Sequence, residues 1–140
     1  MVAVMDVPKS KTGSYGIITP GTDQGQLVEV SALVEKPDPA NAPSSIGVVG
    51  RYIIEAGVFA QLGTQERGAV NEVQLTDALA RQIGKVPFYG LRFSGERFDC
   101  GSKIGFLQAN IAFAMSRDDL AEPLASWIKN RMVISQTPTT

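Results

Sequence analysis

A carboxylate, an ammonium and a proline stand in a row at Glu35, Lys36 and Pro37, directly after a stretch in which Val28, Val30, Ala32 and Val34 share one parity. That alternation is the period of a strand with two different faces, and it puts Glu35 on the other parity with Glu29 and Ser31. Proline has no amide hydrogen for a ladder and biases the residue before it toward extended geometry, so Lys36 is expected at the mouth of the strand. Ligands in α/β proteins gather at such ends. A carboxylate there can hold a sugar through paired hydroxyl hydrogen bonds, and a neighbouring lysine supplies a compact positive charge for a phosphate. Successive strand residues point to opposite sides, so the two would hold different parts of a ligand. A solvated strand end with an incidental ion pair fits the same spacing.

Two more places could carry chemistry. Gly16 interrupts a β-rich run at 14–19, where glycine marks either a bulge or a close approach of backbone or ligand. Asp99 lies just before a helix start, in a turn made permissive by Gly101. Such a carboxylate suits Mg²⁺, which keeps most of its waters and takes one or two carboxylates plus phosphate oxygens. It equally suits a cap for the following helix. Cys100 has no base near it in sequence and reads as a small apolar residue. Glu72, Asp77 and Glu96 read as turn or cap residues, Glu66 with Arg67 as a solvated loop pair, and Trp127 as core.

Composition narrows the options further. The chain has 140 residues, 44% hydrophobic and 19% charged, enough to bury a core. Thirteen basic and 14 acidic residues leave a formal charge of -1, no footprint for nucleic acid or an anionic membrane. No apolar run approaches a membrane span, and the first residues lack the pattern of a signal peptide, so a cytoplasmic location is expected. Histidine is absent and Cys100 is the one cysteine. That removes the Ser-His-Asp and Cys-His nucleophile schemes and leaves no thiolate cluster for zinc. Chemistry here must run on carboxylates, lysines, backbone amides and a hard metal ion.

The positioning elements follow from pattern. Strands are expected over 1–7, 14–19, 27–35, 46–54 and 86–93, the second and third paired antiparallel and the fourth covered on both faces. A short helix at 55–62 should bury Val58, Phe59 and Leu62 and end at Gly63. A second, capped by Thr76, runs to Ile83. Ser102 caps a third with a stripe of Ile104, Leu107, Ile111 and Met115, and a fourth starts at Pro123 with Leu124, Trp127 and Ile128 inward. Residues 1–133 read as one folded portion and 134–140 as a flexible tail. The class is α/β or α+β with a mixed sheet.

Taken in order, Tyr15-Gly16-Ile17-Ile18, Val34-Glu35-Lys36-Pro37, Val49-Gly50-Arg51-Tyr52, Asn71-Glu72-Val73-Gln74-Leu75-Thr76-Asp77-Ala78 and Asp99-Cys100-Gly101-Ser102-Lys103 resemble the C-terminal half of bacterial UTP-glucose-1-phosphate uridylyltransferases. The resemblance covers nearly the whole chain and is closer than that to thymidylyltransferases. It implies the mixed-sheet part of a Rossmann-like, glycosyltransferase-A-like α/β fold. It also implies formation of UDP-glucose and pyrophosphate from UTP and glucose 1-phosphate with Mg²⁺. By the same resemblance Glu35 binds glucose hydroxyls, Lys36 the sugar phosphate, Gly16 gives a backbone contact beside the sugar, and Asp99 is one of two aspartate ligands of the metal. No Gly-rich phosphate loop opening a helix is present, so the nucleotide-binding half has no counterpart and the chain is expected to be inactive alone. Strand edges left by a missing half would favour a homo-oligomer. The competing expectation is a non-catalytic sugar-phosphate-binding or assembly module, or a relative of different specificity.

Overall fold

The computed structural model of the chain describes residues 1–64 and 73–134, which fall into two compact units, Met1–Ser94 and Gly95–Thr140. In the first, the alternating stretches become β1 (Val2–Asp6), β2 (Gly16–Gln24), β3 (Leu27–Glu35), β4 (Ile46–Tyr52) and β5 (Tyr89–Arg92). They pair in the order β1-β4-β2-β3-β5, and β5 lies parallel to β1, closing a mixed barrel. Each strand thereby has a neighbour on both sides, with β2 meeting β4 through the single register pair of Ile17 with Gly47. Helices α1 (Gly57–Thr64) and α2 (Leu75–Ala80) belong to the same unit. Val2, Val4, Ile18, Val28, Val30, Ile46 and Val48 form the core with Val58 of α1 and Ala78 and Leu79 of α2. Full burial of a side chain such as Leu79 contributes about 1.5–3 kcal/mol.

β2 runs past its expected stop at Pro20 to Gln24, and turns into β3 through Gly25, whose φ is +77°. A glycine with positive φ at the first position of a two-residue loop matches the twist of the hairpin. Proline still leaves its mark. Pro20 cannot donate to the ladder, and the register shifts on both sides of it. Thr19 pairs with Ala32 but Pro20 with Val30, so Ser31 is an extra residue in β3, its hydroxyl donating to the Thr19 carbonyl at 3.0 Å. This bulge reverses the alternation. Val28 and Val30 are buried before it, but Leu33 is buried after it while Val34 is 43% exposed. Glu35 therefore shares the parity of Leu33, not the solvent parity that simple alternation assigns. The bulge near Gly16 that the sequence allowed lies here instead.

Other expectations shift for identifiable reasons. β4 is covered on both faces only over Ile46, Gly47 and Val48, and is exposed from Gly50 onward. In α1, Val58 is buried but Phe59 is exposed, and Gly63 lies inside the helix. α2 begins two residues earlier than a Thr76 cap would place it, with Gln74 at the cap, so Thr76 is not the cap. It ends at Ala80, and the chain turns at Gly84 with φ +85°.

The second unit holds α3 (Lys103–Met115) and α4 (Ala121–Ile134). Ser102 caps α3 as expected, accepting from the Gly105 amide at 3.1 Å. The buried face of α3 is made of Gly105 and Ala109, whereas Ile104, Leu107, Ile111 and Met115 are exposed. α4 starts before Pro123, half-buries Leu124 and Ile128, and exposes Trp127, over which the Arg131 guanidinium lies 5.2 Å from the ring centroid. Small residues allow close approach, and the large apolar stripe faces outward. Among the described residues no helix is long and apolar enough to cross a membrane. The expected tail lies outside the described residues, apart from Ile134, which ends α4.

Candidate functional site

Three of the four residues singled out in the sequence meet at one end of the β2-β3 ladder. Gly16 and Glu35 are direct partners in the register. One step further, the Lys36 amide donates to the Tyr15 carbonyl at 3.0 Å, and Tyr15 is held in turn by its own amide on the Thr12 carbonyl at 3.1 Å. Thr12 is fully buried in the short 3₁₀ segment Lys9–Ser14 that leads into β2. The ladder thus fixes the backbone beneath both charged residues.

Lys36 leaves the strand with φ +45°, the one non-glycine positive φ among the described residues. Left-handed backbone in an L-residue is strained, and it ends the strict alternation of faces. Consistent with that, Lys36 Nζ lies 3.6 Å from Glu35 Oε1. The two side chains come together rather than pointing to opposite sides as a regular strand requires. The Lys36 side chain is 56% exposed and that of Glu35 22% exposed, so the ammonium remains open to an incoming anion. An ion pair this exposed contributes about 0–1 kcal/mol, too little to commit either group to the other.

The opposite oxygen of Glu35 is held from α2. Thr76 Oγ1 donates to Glu35 Oε2 at 2.6 Å. Gly16 sits beneath this contact: a Cβ there would stand 3.2 Å from Glu35 Oε2 and 3.5 Å from Thr76 Oγ1. The atoms that crowd Gly16 are side-chain atoms of Glu35 and Thr76 rather than another backbone, and Gly16 pairs with Glu35 in regular register without a bulge. Nearby, burial of the ring and then the Glu35 charge push the Tyr52 phenol above its ordinary range. Thr76 is the residue that sequence reasoning missed. Its place in the first turn of a helix looks like capping chemistry, and only the bulge at Ser31 turns Glu35 toward it.

Asp99 belongs to the other unit, in the loop before α3. It is exposed, and its Oδ1 accepts from the Gly101 amide at 3.1 Å. Its carbonyl accepts from the Ser102 amide and hydroxyl, at 3.1 and 3.0 Å, and a Cβ on Gly105 would overlap that carbonyl. The helix cap is Ser102, so the Asp99 carboxylate is not consumed by that role. Among the described residues no three His, Cys, Asp or Glu side chains gather as a metal site. A lone exposed carboxylate with lone pairs to spare fits an ion that takes one or two carboxylates and keeps its waters, as Mg²⁺ does. It does not fit zinc.

Comparison with known proteins identifies the family and the fold. The nucleotidyl transferase family model matches residues 1–116. A UTP-glucose-1-phosphate uridylyltransferase of Komagataeibacter xylinus is 58% identical over 104 residues, covering 74% of this chain and 37% of the relative. That of Staphylococcus haemolyticus is 41% identical over 129 residues, covering 92% of this chain and 45% of the relative. Among solved structures, the UDP-glucose pyrophosphorylase of Acinetobacter baumannii superposes with a TM-score of 0.79 at 30% identity, over 92% of this chain and 44% of that one. A UDP-glucose pyrophosphorylase complexed with UDP-glucose gives 0.77 at 35% identity, over 83% and 44%. The chain spans less than half the length of these relatives. With its matched residues reaching from β1 through α3, the chain belongs to the nucleotidyl transferase family.

Proposed function

We propose that this chain is the sugar-phosphate-binding C-terminal portion of a uridylyltransferase that forms UDP-glucose and pyrophosphate from UTP and glucose 1-phosphate. The observation that carries the assignment is the Glu35-Lys36 pair. A carboxylate with one oxygen pinned and an exposed ammonium 3.6 Å from the other oxygen suit a ligand with hydroxyls beside a phosphate. Glu35 accepts from glucose hydroxyls, Lys36 binds the sugar phosphate, and the backbone at Gly16 lies against the sugar. Nucleotidyl transfer needs little covalent help from protein and depends on positioning and on cations that offset phosphate charge. Asp99 would be one ligand of Mg²⁺, which when bound offsets charge on the phosphate oxygens. The chain has no Gly-rich phosphate loop opening a helix, so UTP binding falls to sequence outside these 140 residues.

The test is UDP-glucose formation. The 140-residue chain alone is expected to form none, and in the full-length protein Lys36→Ala should weaken use of glucose 1-phosphate while Asp99→Ala abolishes turnover. Product formation by the purified chain, or full activity of both variants, would contradict the assignment. The exposed apolar residues of α3 and α4 favour a second role in assembly, including a homo-oligomer. Light scattering on a Leu107→Ser, Ile111→Ser, Trp127→Ser variant, whose three positions are all exposed, decides it. A loss of oligomer supports that role and an unchanged mass removes it.

A further inference from the structure

We infer that Thr76 is a positioning residue for the Glu35 carboxylate, and through it sets the recognition of sugar hydroxyls. This rests on the sugar-binding role proposed above for Glu35. The Thr76 hydroxyl reaches Glu35 Oε2 at 2.6 Å across 41 residues of sequence, within the short range of charge-assisted O–H···O⁻ bonds. A mid-helix threonine ordinarily turns its hydroxyl back to a carbonyl one turn earlier. Thr76 is the second residue of α2, so the helix offers it no such carbonyl, and its hydroxyl donates to Glu35 Oε2 instead. The helix is a firm base: Ala78 and Leu79, two and three residues on, are fully buried, and Thr76 itself is 8% exposed.

The consequence is directional. With Oε2 held by Thr76, the Glu35 side chain is anchored at its far end, which fixes its rotamer and leaves Oε1 on the Lys36 side as the acceptor for a ligand. A carboxylate fixed before binding loses no rotor freedom when a hydroxyl docks on it. It also favours partners that donate over partners that accept, because the nearby donor is already engaged. The Thr76 methyl adds a wall, since its Cγ2 stands 3.7 Å from where a Gly16 Cβ would be. Valine keeps that wall and deletes the donor; serine keeps the donor and deletes the wall.

The experiment uses the isotopically labelled 140-residue chain. Without ligand, three-bond couplings should report one Glu35 rotamer in the parent and in Thr76→Ser, and averaging in Thr76→Val. In titrations, glucose 1-phosphate should bind about tenfold more weakly to Thr76→Val, with Thr76→Ser close to the parent. Inorganic phosphate, held by Lys36, should bind all three alike. An unaveraged Glu35 in Thr76→Val, or equal losses for both probes, overturns the inference; Thr76→Ala supplies the same comparison if valine does not fold. Glu35→Gln separates the two levels. If it binds glucose 1-phosphate like the parent, the sugar-binding role of Glu35 fails, and the coupling measurement still judges Thr76 by itself.

Discussion

Replacing Lys36 by glycine and, separately, by alanine divides the chemistry of this position from its backbone strain. Both variants lose the ammonium, and both keep the amide that donates to the Tyr15 carbonyl. They differ in what φ +45° costs them. An L-residue in left-handed backbone costs roughly 1–2 kcal/mol, a cost that alanine keeps and glycine avoids. Glycine is more mobile in the unfolded chain, which takes back about 0.4–1 kcal/mol. The difference leaves Lys36→Gly more stable than Lys36→Ala by roughly 0.5–1 kcal/mol. For a unit of this size that is a gap of about 2–6 °C in melting temperature. Thermal unfolding by circular dichroism reads it directly, and phosphate titration of both variants should show the same loss of binding. A lysine placed where glycine would be more stable marks strain kept for a site. An alanine variant as stable as the glycine variant, or more so, would refute the strain argument.

Other perturbations follow from the same geometry. Gly16→Ala places a methyl 3.2 Å from Glu35 Oε2, and since Thr76 pins that oxygen, the carboxylate cannot yield without breaking the bond. The expected result is glucose 1-phosphate binding weaker by about tenfold, read by calorimetry; parent-like binding would mean that the pocket relaxes freely. Leu79→Ala removes a fully buried anchor of α2 and should lower stability by about 2–5 kcal/mol in urea unfolding, with β3 amides losing hydrogen-exchange protection. Ser102→Ala removes the cap of α3 and should cost about 1 kcal/mol, visible as fraying at Lys103. Two carboxylates among the described residues, Asp23 and Asp119, are held below their ordinary range by hydrogen bonds from arginine partners, Arg92 and Arg117. Hydrogen bonding to Arg92, then to the Gly25 amide, holds the Asp23 carboxyl below its ordinary range. That contribution is present above the ordinary carboxylate pKa and lost as pH falls through the depressed value, so Asp23→Asn should flatten the acid limb of a melting-temperature profile.

The sequence discloses the strands well and their phase poorly. β3 has the expected bounds because alternation, a turn and Pro37 all agree on them. Its faces reverse midway because Pro20, on the partner strand, forces a shift in register. A proline read as a stop for β2 was the available signal, and its effect falls on another strand. Glu35 and Lys36 were recognisable as candidates from residue type and position. Their meeting was not, because it depends on the positive φ at Lys36, an unusual backbone for lysine. Thr76 lies 41 residues from Glu35, and no local pattern links them. In α3 the periodic apolar stripe misled, since periodicity reports that a face is distinct without saying which face is covered. Gly105 and Ala109 pack because small residues let neighbours approach.

Whether Glu35 and Lys36 together hold the hydroxyls and the phosphate of one sugar phosphate is decided by a structure of the chain with glucose 1-phosphate bound. The complex should show a glucose hydroxyl on Glu35 Oε1, the phosphate on Lys36 Nζ, the sugar against Gly16, and Thr76 still donating to Oε2. A sugar phosphate bound away from this pair, or with its phosphate directed elsewhere than Lys36, would contradict that role.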